Sequence, residues 1–348
     1  MKLALICPSN ILYMPYVKNY IDLLDEKQIP FIIINWDRFQ MESEQSELVY
    51  RDNKVGHQRN YFDYYKYKRF IIKKIKENEI DKVIVFGLQL GFFLEQFLLK
   101  FYKGKYAIDI RDHNKIINYF SIKKLIKSSS LTVISSPEFI SFLPSRGEYT
   151  VNHNTKVNSL IKLRDRKVNF ESTKRRISYI GALRDFQANV QFINSLKSRK
   201  EYEIKYHGEG IINKQLSDYV QREQIENVIL TGRYTEIEEE ELYLNSDLIN
   251  VMQFNDDVNN KALLPNRLYL SGIYKKPLIA LNGSYLAEII KKYRLGLVIE
   301  SFEKVEKRIE DYIIGFNEEE YEIGVNTFFQ KVISDNRYFK RQVSKFLE

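Results

Sequence analysis

Short, mainly apolar runs alternate with longer stretches of helical period along the whole chain, and this alternation constrains the fold more than any other feature. In the first half the runs are Leu3–Cys7, Phe31–Trp36, Val83–Phe86, Tyr106–Ile110 and Leu131–Ile134. Helical periods fall between them, near Tyr16–Leu24, Tyr64–Lys76, Gly91–Phe101 and Ile116–Lys127. The second half repeats the scheme, with runs at Ile177–Ile180, Ile204–His207, Val228–Thr231, Leu248–Met252, Pro277–Leu281 and Gly296–Ile299. Its helical segments lie near Gln187–Lys197, Ile211–Gln224, Glu236–Leu244, Asn266–Ile273 and Tyr285–Lys292. A strand with apolar residues on both faces needs cover on both. A parallel sheet supplies that cover, because parallel neighbours are joined by helical crossovers that lie on the sheet. The pattern predicts an α/β chain built from two Rossmann-like, doubly wound parallel-sheet domains.

The 348 residues suffice for two domains of ordinary size, and 25 Tyr and 22 Phe supply apolar surface for two cores. Residues 156–175 are polar and lack a clear period. The expected organisation is a first domain over 1–155, a linker over 156–175, a second domain over 176–316, and C-terminal helices over 317–348 that pack back on the first domain. Two such domains leave a central cleft between the carboxyl ends of their strands, where open α/β sheets bind ligands.

The sole cysteine, Cys7, excludes an intrachain disulfide and a thiolate zinc site, and the four histidines hold no i, i+4 pair. No metal is therefore expected. The apolar start, Leu3–Cys7, is too short for a signal-peptide core or a membrane span. The expectation is a cytoplasmic protein, peripheral at the inner face of the plasma membrane. Charge points the same way. Residues 1–165 carry 26 Lys and Arg against 18 Asp and Glu, whereas residues 166–348 carry 28 of each, so the net +8 lies wholly in the first half. Its basic runs, Lys66–Lys76 and Ile122–Lys127, mix lysine with aliphatic residues. They suit either an anionic membrane surface or helices whose lysines are simply solvated. No zinc-finger spacing or RNA-recognition signature is present, and no nucleic-acid partner is expected.

Residues that follow the strands are the candidates for chemistry. Gly181, after Ser178-Tyr179-Ile180, lets a backbone approach a ligand closely, and Arg184 has the fork that pairs with a diphosphate. A plain tight turn explains such a glycine equally. Tyr206-His207-Gly208-Glu209-Gly210 and Thr231-Gly232-Arg233-Tyr234 repeat the arrangement, without the spacing of a dinucleotide fingerprint or a P-loop. In Lys261-Ala262-Leu263-Leu264-Pro265-Asn266-Arg267, Pro265 marks a helix start, and a helix start offers free N–H groups to an anion, with Lys261 and Arg267 adding charge.

The series Tyr-Ile-Gly-Ala-Leu-Arg, His-Gly-Glu-Gly, Asn-Val-Ile-Leu-Thr-Gly-Arg-Tyr and Leu-Pro-Asn-Arg-Leu-Tyr…Lys-Lys-Pro-Leu-Ile resembles the donor domain of GT-B glycosyltransferases. Within these it is closest to the family 4-like branch of bacterial capsule and exopolysaccharide synthesis. The resemblance covers Ile177–Ile299 and is looser over the first half, where Ala107–His113 is similar to a strand-plus-Asp segment facing the cleft. It implies a nucleotide-diphosphate sugar on the second domain, UDP-sugar favoured, and a lipid-diphosphate-linked oligosaccharide acceptor on the first. No cofactor is implied, and basic residues and helix dipoles stand in for a metal. Arg184, Lys261 and Arg267 are then candidates for the diphosphate, Arg233 and Tyr234 for the base, and Asn266 for ribose or sugar hydroxyls; Gly181 and Gly232 let the donor approach.

Asp112 and His113 are the candidate catalytic groups, Asp112 as a base for the acceptor hydroxyl or as a structural ion-pair partner of Arg111. Ser9, Asn10 and Tyr13 are candidates for the acceptor side. Two glutamates that many family 4 enzymes place eight apart fall here near Ala262 and Leu270, so the retaining mechanism of that family is not carried over. A nucleotide-sugar epimerase of the same fold and a non-catalytic scaffold in polysaccharide assembly stay open as alternatives.

Overall fold

The computed structural model describes residues 1–43, 46–155, 157, 160, 167–168, 170 and 174–348. Most of the expected linker, 156–175, lies outside the described residues. The chain divides into two units, one of Met1–Lys156 with Ser334–Glu348, the other Val157–Ile333.

The first unit runs β1 (Leu3–Cys7), α1 (Lys18–Glu26), β2 (Phe31–Asp37), β3 (Val49–Arg51), α2 (Tyr61–Glu77), β4 (Lys82–Phe86), α3 (Leu88–Phe101), β5 (Tyr106–Ile110), α4 (Ile122–Ser128), β6 (Leu131–Ile134) and β7 (Thr150–Val151). Its sheet has the order β3-β2-β1-β4-β5-β6-β7, and every pairing is parallel. The direction of winding reverses between β1 and β4. All five residues of β1 are buried, as its unbroken apolar run requires. The Tyr67 hydroxyl reaches into this layer and donates to the carbonyls of Cys7 (2.7 Å) and Ile34 (3.1 Å), which satisfies the buried ends of β1 and β2.

The second unit runs β8 (Arg175–Ile180), α5 (Phe186–Leu196), β9 (Tyr202–His207), α6 (Asn213–Arg222), β10 (Val228–Gly232), α7 (Glu236–Leu244), β11 (Leu248–Asn250), α8 (Val258–Ala262), α9 (Asn266–Ile273), β12 (Leu278–Leu281), α10 (Tyr285–Lys292), β13 (Gly296–Ile299), α11 (Val305–Ile314) and α12 (Glu318–Leu347). Its sheet, β10-β9-β8-β11-β12-β13, is also wholly parallel and reverses between β8 and β11. Two apolar clusters, one on Tyr206, Leu216 and Ile309, the other on Leu268, Leu286 and Phe329, cover it.

Helix α12 belongs to both units. Tyr321, Val325 and Phe329 pack in the second, and Phe339, Val343 and Phe346 pack in the first with Tyr20 and Leu24 of α1. Each of these large side chains contributes roughly 1.5–3 kcal/mol by leaving water.

Several local expectations need correction. Ile116–Lys127 is not one helix: a 3-10 turn spans Lys115–Tyr119, Phe120 is extended (φ −152°), and α4 follows. The Phe120 ring packs on Phe92, which holds the break. Strand β11 ends at Asn250 although the apolar run continues to Met252, because the Asn250 side chain accepts the Met252 N–H (2.8 Å) and turns the chain. Helix α2 opens at Tyr61, three residues early, where Asn60 and Asp63 form a capping box. The edge strand β3 and the helices α8 and α11 have no counterpart among the expected elements.

Candidate functional site

In the second unit the ends of β8, β9 and β10 are stapled together. Gly181 N–H donates to the His207 carbonyl (2.9 Å) and Gly208 N–H to the Gly232 carbonyl (2.7 Å). The glycines differ in what they do. A Cβ on Gly208 would lie 2.2 Å from the Gly181 carbonyl oxygen, and one on Gly210 would lie 2.0 Å from that of Leu183. The His-Gly-Glu-Gly segment therefore has its glycines for close packing of one strand-end turn on another. At Gly181 (φ +126°) and Gly232 (φ +78°) no atom lies within 4 Å of a built Cβ. These two turns face open space, which leaves their backbone approachable.

The turn Gly181–Asp185 is held from below. Asp185, in the left-handed region (φ 57°), caps α5 by accepting the Ala188 N–H (3.1 Å), and its other oxygen accepts the Phe254 N–H (2.5 Å) after β11. Buried Asn189 donates to the carbonyls of Arg184 and Asp185 (both 2.8 Å). The Arg184 side chain is exposed and has no ion pair or side-chain hydrogen bond among the described residues. A fixed backbone thus presents a free guanidinium at the reversal point of the sheet.

Arg267, in the first turn of α9, is anchored. Its guanidinium lies 3.6 Å from the centre of the Tyr179 ring and donates to the Asn250 carbonyl (2.8 Å). Tyr179 stacks on Tyr206 at 5.7 Å. Two buried polar atoms in this cluster, Tyr206 Oη and Asn250 Nδ2, have no hydrogen-bond partner. Pro265 is the cap rather than the first helical residue, with no side-chain cap, and Asn266 opens the helix exposed to solvent. Lys261 is exposed on α8 without a partner among the described residues. Arg233 pairs with Glu209, and Tyr234 is half-buried, its hydroxyl 3.4 Å from Glu239. Burial and then the Glu239 charge push the Tyr234 phenol up to about 12. His207 Nδ1 meets the Thr231 hydroxyl at 2.9 Å. Burial, with Lys205 second, pulls this imidazole down to about 4, so it is neutral at pH 7. Asp256 and Asp257 serve the turn into α8, where Asp257 accepts the Asn260 N–H (2.8 Å). Among the described residues no group of three His, Cys, Asp or Glu side chains could hold a metal ion.

In the first unit, Arg111 does not pair with Asp112. It forms a two-pronged bond with Asp109 (2.6 and 2.7 Å), donates to the Asn152 carbonyl (3.0 Å) and lies 4.2 Å over the Tyr16 ring. Strand geometry explains the choice, since residues two apart share a face and adjacent residues do not. Asp109 is fully buried and also accepts the Tyr20 hydroxyl (2.6 Å). Asp112 is exposed after β5, and the His113 ring meets Phe142 edge-on at 5.0 Å.

Asn10 is buried, its amide donating to Asp37 (2.7 Å) and Glu42 (3.2 Å) and accepting from the Arg38 N–H (2.9 Å). It joins the loops after β1 and β2. Tyr13 is half-exposed and stands against Phe39 at 4.7 Å. Ser9 Oγ is buried without a partner. The sequence reading missed Asp109, Asp185 and Asn250. A strand–Gly–Asp–helix order signals the cap at Asp185, whereas nothing local marks Asp109 or Asn250.

No protein-family model and no curated protein sequence matches the chain. Solved structures do match its fold. HepE of Anabaena, crystallised with UDP and glucose, superposes with a TM-score of 0.63 at 13% identity, covering 99% of this chain and 100% of that one. Sucrose-phosphate synthase of Thermosynechococcus elongatus gives 0.71 at 10% identity over 99% of both. The lipopolysaccharide outer core galactosyltransferase WaaB gives 0.65 at 13% identity over 99% of both. The chain has the GT-B fold.

Proposed function

We propose that this chain is a glycosyltransferase that moves a sugar from a UDP-sugar to a lipid-linked oligosaccharide in bacterial surface polysaccharide synthesis. The observation that carries the reading is the free Arg184 guanidinium beside the open Gly181 turn, at the point where the second sheet reverses. The UDP and glucose held by HepE and the lipopolysaccharide role of WaaB support the donor and acceptor classes. The net charge of the first unit supports the acceptor as well. It holds 28 Lys and Arg against 19 Asp and Glu, and the second unit holds 26 against 27.

In this reading the sugar C1–O bond to the diphosphate breaks and a bond from C1 to an acceptor oxygen forms. Arg184 and Lys261 neutralise the departing diphosphate, and the uncapped N–H groups at the start of α9 add to this. Arg267 acts as a positioning residue that ties α9 to the end of β11. Asp112 takes the proton of the acceptor hydroxyl. With Leu270 at the place of a family glutamate, donor ribose contacts fall to Asn266 and to the open turn at Gly232.

Calorimetric titration of UDP into the wild type and Arg184→Ala tests the site. A loss of about ten-fold or more in affinity is expected, from a charge-assisted bond of ~1.5–3 kcal/mol. Unchanged affinity in a folded variant removes Arg184 from the diphosphate site. Incubation with UDP-sugar alone separates the alternatives: a converted sugar without acceptor marks an epimerase, and a chain that binds no nucleoside diphosphate is a scaffold.

A further inference from the structure

Three helices of the first unit form one layer. The steps β3→β4, β4→β5 and β5→β6 all run the same way across the sheet, so right-handed crossovers put α2, α3 and α4 on a single face, with α3 in the middle. Helix α2 buries Tyr64, Tyr67, Ile71 and Ile75. Its outward side carries Phe62 and Tyr65 in the first turns and Lys66, Arg69 and Lys76 further on. Phe62 is 72% exposed, and Tyr119, in the turn before α4, is 78% exposed. Phe62 is one end of a run of aromatic contacts across the layer, Phe62–Tyr61–Phe93–Phe92–Phe120, with ring centres 5.0–6.0 Å apart, and Tyr119 directly precedes the residue at its other end. Large rings exposed in this way, Phe62 held against Tyr61 and Tyr119 beside the packed Phe120, are costly against water and suit an interface.

The exposed, unpaired charge of these helices is mostly positive. Lys66, Arg69, Lys115, Lys123, Lys124 and Lys127 are exposed and none has an ion-pair partner among the described residues. The acids of these helices are few. Asp63 pairs with Lys54, Glu77 with Lys73 and Lys74, and Glu95 is half-buried on α3.

We infer that the outer face of α2, α3 and α4 docks on an anionic lipid bilayer, with Phe62 and Tyr119 entering the headgroup region and the unpaired lysines over it. Aromatic side chains at the level of the headgroups, beside lysines that reach anionic lipid, are what such a surface selects. The inference names the surface on which the proposed lipid-linked acceptor is met, and so rests on that reading.

The test is co-sedimentation of the full chain with phosphatidylcholine vesicles and with mixed phosphatidylcholine–phosphatidylglycerol vesicles, without nucleotide or acceptor. Binding to the mixed vesicles alone is expected. Lys66→Glu/Lys123→Glu/Lys124→Glu should weaken it by about a hundred-fold or more, since each basic side chain at an anionic surface contributes about five-fold. The control is Arg337→Glu/Lys340→Glu/Lys345→Glu, three exposed positions on the last turns of α12, which pack with α1 away from this layer. It changes the net charge equally and should bind nearly as the wild type does.

Phe62→Ser/Tyr119→Ser alters only exposed rings and should weaken binding while keeping its salt dependence. Equal losses in the two triple variants would reduce the effect to net charge and overturn the docking face. No binding of the wild type to mixed vesicles, or binding to RNA in its place, overturns it too. UDP affinity, measured in parallel, reports on the transfer reading alone. Its absence leaves the docking face standing, and a failure of vesicle binding leaves the transfer reading standing.

Discussion

Replacing Gly208 by alanine tests how the strand-end turns of the second unit are built. Gly208 has φ +122°, and its Cβ would stand 2.2 Å from the Gly181 carbonyl oxygen and 2.9 Å from the carbon. Ordinary contact begins near 3.4 Å, so one turn must move by about an ångström. Backbone strain in that region costs ~1–3 kcal/mol, and forcing packed atoms apart costs a similar amount. Gly208→Ala should therefore lower the stability of the second unit by roughly 2–5 kcal/mol, a fall of about 5–15 °C in its melting temperature. Gly181→Ala meets no atom at φ +126°, so only the strain is felt and the loss should be about half as large.

UDP binding should respond in the opposite order per unit of stability lost, because in the proposed reading the open turn at Gly181 is where backbone and ligand approach. Differential scanning calorimetry measures the first quantity and isothermal titration with UDP the second. Gly208→Ala melting with the wild type would refute the claim that this glycine exists for turn-on-turn packing.

Two further expectations concern buried charge. Asp109→Ala leaves the Arg111 guanidinium and the Tyr20 hydroxyl without their carboxylate, at a cost of roughly 3–5 kcal/mol in urea denaturation, whereas exposed Asp112→Ala should cost under about 1 kcal/mol; equal losses would contradict the pairing. His207 is held neutral by burial, its pKa at about 4 against an ordinary 6.5, so the unfolded chain takes up its proton more readily. That contribution to stability is complete above about pH 6.5 and disappears as the pH falls toward 4. His207→Gln should therefore lose less stability than the wild type between pH 6.5 and 4.5, and identical pH slopes would dismiss the role.

Much of the architecture was legible because it follows from local chemistry. Leu3–Cys7 is apolar on both faces and so demands a covered parallel sheet, and each of its residues is buried. Asn266–Ile273 and Tyr285–Lys292 have the bounds their helical period predicts. The break at Phe120 was not legible, since it depends on a ring from another helix, Phe92. Helix α11 was missed because its apolar positions, Val305 and Ile309, lie among charged residues and gain meaning only against the core they cover.

For the site, chain order was enough to place Gly181, Arg184, Asn266 and Arg267 after or beside the strands that reverse the second sheet. Elementary backbone rules carry that far, because glycine turns and helix starts are properties of a few consecutive residues. Which cations are engaged is a different matter. Arg267 lies on Tyr179 and Arg111 grips Asp109, while Arg184 and Lys66 are left to solvent. Those outcomes depend on atoms tens of residues away, or on the face that pleating gives each side chain. Only the folded chain brings such atoms within the few ångströms over which charges and hydrogen bonds act.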